Sequence, residues 1–151
     1  MMIERFKTTG TVRYDPPRGN MKRRTKWWAI IQVDREITRY YRWLVMREYW
    51  AHTALHPDWL KQPSWNAHVS IVRGEEPRGQ LKQFWKLHDG ERVTLEYEHN
   101  PRYNGDTTAM GATTGSFWFV DVYCPIITDI RRELNLKTFY KSHLTFGRVY
   151  D

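Results

Sequence analysis

From Lys26 to Asp34 the chain reads KWWAIIQVD, an apolar, β-branched run of strand length that predicts a buried strand. Asp34 then supplies a capping oxygen ahead of a long periodic segment, Arg35 to Leu55. Within it Ile37, Tyr41, Leu44, Val45 and Tyr49 recur at helical spacing, while Arg35, Arg39, Arg42 and Arg47 take other faces. An N-capped helix follows. AHVSIV (67–72) is a strand stopped by Gly74. PRGQLKQFWKLHDG (77–90) predicts a shorter helix, with Pro77 near its start and Gly90 past its end. ERVTLEYEH (91–99) alternates as a strand with one wet face. FWFVDVYC (117–124) is a strand, Pro125 opens a helix to Leu136, and HLTFGRVY (143–150) is the last strand. Upstream, TVRY (11–14) is a short strand broken by Pro16, Pro17 and Gly19.

The order β-β-α-β-α-β-β-α-β lacks strict alternation, so the fold class expected is α+β. One strand–helix–strand unit ends at AHVSIV and a second ends at HLTFGRVY. The expectation is a single bilobal domain over 1–151, two pseudo-symmetric strand–helix–strand lobes around a central cleft, each placing its last strand centrally. A length of 151 residues fits one domain.

Both of those last strands carry the same short phrase. NAHVSIVRGE and KSHLTFGRVY each set a His, an aliphatic residue, a hydroxyl residue and a hydrophobic residue ahead of a Gly and an Arg. Side chains alternate along a strand, so His68 and Ser70 share one face, as do His143 and Thr145. The apolar members, Val69 with Ile71 and Leu144 with Phe146, take the other. Two lobes related by approximate symmetry would bring the polar faces into one groove. Imidazoles titrate near neutrality, so a pair of them supplies one general base and one general acid at a phosphorus atom. The hydroxyls donate hydrogen bonds to phosphoryl oxygens as charge moves. The bland alternative is two strand histidines with ordinary hydrogen bonds. His52, His56, His88 and His99 lack the pattern.

Composition adds a partner class. A net charge of +7, with eight Trp and nine Tyr, suits nucleotides, nucleic acid or a membrane surface. A basic protein with an aromatic-rich core reads equally well. No run of 18 apolar residues is present, so no membrane span is expected. The single Cys124 leaves no intramolecular disulfide and no cysteine zinc site. MMIERFKTTG has no apolar signal core, and a cytoplasmic location is expected.

Other residues are weaker candidates. Tyr14, with the loop at Pro16, Pro17 and Arg18, covers the site or forms a surface turn. Trp65 stacks on a purine or joins the core. Lys141, an even offset before His143, is a phosphate contact if the strand starts early. Arg73 and Arg148 lie five places after their histidines, and strict alternation puts both on the opposite face. His52 and His56 are four apart but lack a third ligand, so no metal and no cofactor is expected. Lys22, Arg23 and Arg24 are a solvated face or a steering patch, and 101–116 is a lid or an ordinary loop.

The two motifs, His68-Val69-Ser70 and His143-Leu144-Thr145, match the signature of the two-histidine phosphoesterase superfamily, a bilobal α+β fold. PSWNAHVSIVRGE, FWFVDVYCP and SHLTFGRVY resemble, more narrowly, the phage anti-CBASS phosphodiesterase family, over nearly the whole chain. That resemblance implies metal-independent cleavage of 3'-5' bonds in cyclic di- and trinucleotide immune signals, in the host cytoplasm. It implies the ribose 2'-OH as nucleophile, His68 and His143 as base and acid in either assignment, and Ser70 and Thr145 on the phosphoryl oxygens. Ser70 stands where Thr is frequent, and keeps the hydroxyl. The partner implied is the cyclic oligonucleotide itself, with no membrane and no stable nucleic-acid complex. Two rivals are an RNA-end or 2',3'-cyclic phosphodiesterase and a non-catalytic basic, aromatic nucleotide-binding module.

Overall fold

A computed structural model describes residues 4–17, 25–53, 60–62, 67–104, 116–139 and 141–149. The strands are β1 (Arg5–Tyr14), β2 (Trp28–Gln32), β3 (His68–Arg73), β4 (Arg92–Glu98), β5 (Arg102–Asn104), β6 (Ser116–Tyr123) and β7 (His143–Val149). Helix α1 (Arg35–Thr53) joins β2 to β3, and α2 (Pro125–Glu133) joins β6 to β7. The fold is α+β. One seven-stranded sheet runs β4-β1-β2-β3-β7-β6-β5, with every pairing antiparallel. β4 also pairs with β6 through Glu96–Tyr123 and Tyr97–Val122. Each strand–helix–strand unit thus ends on an inner strand, and the two inner strands, β3 and β7, are neighbours.

Period-2 alternation decides what each face does. Val12, Ala29, Ile31, Val69, Ile71, Val120, Leu144 and Phe146 are buried together, and Tyr41 and Val45 of α1 and Ile127 and Ile130 of α2 complete that core. Fully burying each Ile or Phe stabilises by about 1.5–3 kcal/mol relative to exposure, before entropy is counted. Tyr41 stacks on Phe146 at 5.3 Å and donates its hydroxyl hydrogen to the His99 carbonyl at 2.9 Å. Asp34 caps α1 as expected, its Oδ1 accepting from the Glu36 amide at 2.9 Å. Pro125 opens α2, where its missing N–H costs nothing. The opposite face holds a second, smaller buried cluster, Trp28 and Ile30.

Three elements depart from expectation. β1 begins at Arg5, six residues ahead of TVRY, and its polar first half pairs with β4. The shorter helix expected at 77–90 is a 3₁₀ segment, Gly79–Phe84, followed by turns and burying none of its side chains. Positive φ at Gly79 and at Lys86 (72°) interrupts helical geometry there despite the spacing of Leu81, Phe84 and Trp85. The long connection after β4 begins with a strand of its own, β5. Among the described residues no helix is long and apolar enough to cross a membrane.

Candidate active site

Val69 pairs with Leu144 across β3 and β7, and both side chains point into the core. Antiparallel register carried one step each way sets His68 opposite Thr145 and Ser70 opposite His143. All four are half-buried, on the face away from the helices. They form a square with the imidazoles on one diagonal, their residues about 7–8 Å apart by sheet geometry. Residues 75 positions apart in sequence therefore share one small patch of sheet.

Both strands then break their alternation. On β3, Ile30 pairs with Ser70 but Ala29 pairs with Val72, so Ile71 is an extra residue. On β7, Phe119 pairs with Thr145 but Trp118 pairs with Gly147, so Phe146 is extra. A bulge lets two consecutive residues face the core, as Ile71 with Val72 do and as Phe146 with Gly147 do. It also reverses the parity of everything beyond. Arg73 consequently pairs with Trp28, and Arg148 with Phe117, both on the histidine face. The expectation that these arginines lie opposite the histidines is wrong, and the bulges are the reason. A long-range contact holds the first of them: buried Arg131 of α2 donates to the Ile71 carbonyl at 2.9 Å. Its other donors grip both Glu75 oxygens (2.9 and 2.7 Å) and the Lys137 carbonyl (2.6 Å).

The two histidines have different surroundings. The His68 ring meets Trp28 edge-on at 5.3 Å. The same indole donates from Nε1 to Ser70 Oγ at 3.2 Å, which leaves the Ser70 hydrogen to point elsewhere. His143 lies between Phe117 (5.8 Å, stacked) and Phe119 (5.3 Å, edge-on). Burial holds its pKa below the usual 6.5, and the Arg148 and Arg73 charges act in the same direction. Its Nδ1 makes a long contact, 3.5 Å, with the Lys141 carbonyl. A carbonyl only accepts, so that contact places the hydrogen on Nδ1 and the lone pair on Nε2. Directly across β6 stands Asp121, buried, with Oδ2 on Arg102 at 2.7 Å and Oδ1 with no hydrogen-bond partner. Its charge pulls the His143 pKa upward, against burial.

The remaining candidates fall out as follows. Tyr14 is not on this face: it continues the Val12 parity, pairs with Ala29 and packs in the core against Trp85 at 4.9 Å. Burial pushes its hydroxyl up to about 12. Lys141 is exposed and lies two residues before β7 begins, so no strand fixes the direction of its side chain; its carbonyl is what meets His143. Trp65, Arg18, Lys22, Arg23, Arg24, His56 and residues 105–115 lie outside the described residues. Of the segment 101–116, the described residues are 101–104, which include β5, and Ser116 at the start of β6.

Sequence reasoning missed Trp28, Phe117, Phe119 and Asp121, and put Arg73 and Arg148 on the wrong face. For Phe117, Phe119 and Asp121 a signal existed: in FWFVDVYC they share the parity opposite to Val120 and Val122. Which face that parity meets depends on β6 pairing with β7, a long-range fact. No protein-family model matches the chain, and neither a curated protein nor a solved structure shows significant similarity to it.

Proposed function

We propose that this protein is a phosphodiesterase cleaving 3'-5' bonds of cyclic di- and trinucleotides, with His143 as general base and His68 as general acid. One observation carries the reading: the β3–β7 register sets both His-x-Ser/Thr motifs on the same face of adjacent strands. The two strand–helix–strand units are read as pseudo-symmetric lobes meeting at that square. Nε2 of neutral His143 takes the proton of the ribose 2'-OH, whose oxygen attacks phosphorus. The P–O5' bond breaks, and protonated His68 gives its proton to the departing 5'-oxygen. Water then opens the resulting 2',3'-cyclic phosphate. Ser70 and Thr145 donate to the non-bridging oxygens. The low pKa of His143 supports its part as base, since it keeps the imidazole neutral at neutral pH. The mechanism draws on imidazoles and hydroxyls alone, so turnover is expected in EDTA.

A panel of cyclic di- and trinucleotides incubated with the protein in EDTA tests this, with products identified by mass spectrometry. The reading predicts linear products from at least one member and resistance of its 2'-deoxy analogue. No turnover across the panel, with 2',3'-cyclic mononucleotides cleaved instead, would move the site to RNA ends. Rapid cleavage of the deoxy analogue would replace the 2'-OH by water.

A further inference from the structure

Two arginines frame the square at equal distances. Counting from the Val69–Leu144 pair, Ser70 and His143 stand one ladder position to one side, and His68 and Thr145 one position to the other. Val72 takes the second position and Arg73 the third, because Ile71 is looped out. In the other direction Gly147 takes the second position and Arg148 the third, because Phe146 is looped out. Odd positions share a face, so both arginines stand over the histidine side. Six ladder positions of about 3.3 Å separate them, roughly 20 Å. Each guanidinium lies near an aromatic ring: Arg73 is 5.9 Å from the Trp28 centroid, and Arg148 is 5.6 Å from that of Phe117. An aromatic neighbour restricts an arginine's rotamers while its N–H edge remains the part that recognises phosphate.

We propose that Arg73 and Arg148 form a symmetric clamp for the phosphates that flank the cleaved one, so that the site selects substrates carrying more than one phosphate. This rests on the phosphodiesterase reading of the square. The span decides between scissile and flanking phosphate: each arginine's backbone is about 10 Å along the strand from the centre of the square. The hydroxyls and imidazoles already occupy the centre. A third charge, Arg102, stands on the same side of the sheet but is held by Asp121. The clamp pair is distinguished from it by equal placement on the two motif strands.

The test is binding of the tris-phosphorothioate analogue of cyclic tri-AMP, which resists cleavage and carries one phosphate for the square and one for each arginine, beside 2',3'-cyclic AMP as a single-phosphate probe. Arg73→Ala and Arg148→Ala are each expected to weaken the trinucleotide analogue about 10-fold, the size of one charge-assisted hydrogen bond. The double variant should weaken it about 100-fold, because separated sites add in free energy. Affinity for 2',3'-cyclic AMP should change less than about 3-fold on the same scale. Arg148→Lys, which keeps stem and charge but loses the fork, should fall between wild type and Arg148→Ala, and stands in if the alanine variant melts early. Wild-type protein that binds neither probe overturns the phosphodiesterase reading and the clamp with it. Wild-type binding retained by both alanine variants overturns the clamp alone. An equal loss for both probes also overturns it, by placing the arginines on the reacting phosphate.

Discussion

Three charges act on His143, Asp121 on neighbouring β6 and Arg148 and Arg73 on the motif strands, together with the Lys141 carbonyl. Burial first lowers the imidazole pKa, with the two arginines helping and the Lys141 carbonyl and Asp121 opposing. A base is competent above its pKa, so the acidic limb of kcat/KM should have its midpoint below 6.5. Asp121→Asn removes the one negative charge that raises this pKa. The limb should therefore move to still lower pH, while an Asp121 that only braces the strand would leave it in place. A midpoint that rises in the variant would refute this description of the site. At the other corner Trp28 both touches the His68 ring and donates to Ser70. Trp28→Phe keeps the ring and deletes the donor. It should lower kcat by about 10-fold, consistent with one misplaced hydrogen bond, and leave the fold intact.

At the scale of elements, the two bulges matter most. Much here was legible in the chain. Asp34 before a periodic run marked α1, Pro125 marked α2, and apolar alternation around His68 and His143 marked both motif strands. The bulges were not, since an extra residue shows only against a partner strand's register. Their one local trace is a pair of consecutive core residues, Ile71–Val72 and Phe146–Gly147, where alternation allows one. The helix expected at 77–90 failed for a related reason: its apolar spacing was helical, but only Trp85 of that set packs on the core, while Phe84 and Leu87 are exposed. Two substitutions test how the bulges are held. A Cβ at Gly147 would sit 2.6 Å from Leu60 Cδ1, so Gly147→Ala should cost about 1–3 kcal/mol in urea melts. Arg131→Met removes the side chain that binds the Ile71 carbonyl and Glu75 and should cost about 3 kcal/mol. If either melts like wild type, the packing described around that bulge is wrong.

For the whole molecule, pH acts through two ties at the C-terminal end of α2. His88 bridges Glu91 at 2.7 Å and Glu133 at 2.8 Å. Burial works against its charge, but the two carboxylates outweigh it and raise its pKa. A raised pKa stabilises fully below about 6.5 and is lost as pH rises through the folded value. Glu75 shifts the other way, mainly because Arg131 donates to it, so its contribution holds above 4.5 and fades as pH falls. These two ties favour mildly acidic pH, whereas His143, its pKa depressed by burial, loses stability as pH falls below 6.5; His88→Gln should flatten the alkaline side of the curve. A profile unchanged by that substitution would contradict the bridge. The same whole-molecule arrangement makes one sheet carry both motifs, and the two halves of the chain each contribute one histidine. That pairing is tested most directly by single-turnover cleavage of cyclic GMP-AMP in EDTA by wild type, His68→Ala and His143→Ala, with binding measured alongside. The account predicts cleavage by wild type and losses of about 100-fold or more in both variants, with affinity nearly unchanged. A variant of either histidine that turns over at the wild-type rate would contradict it.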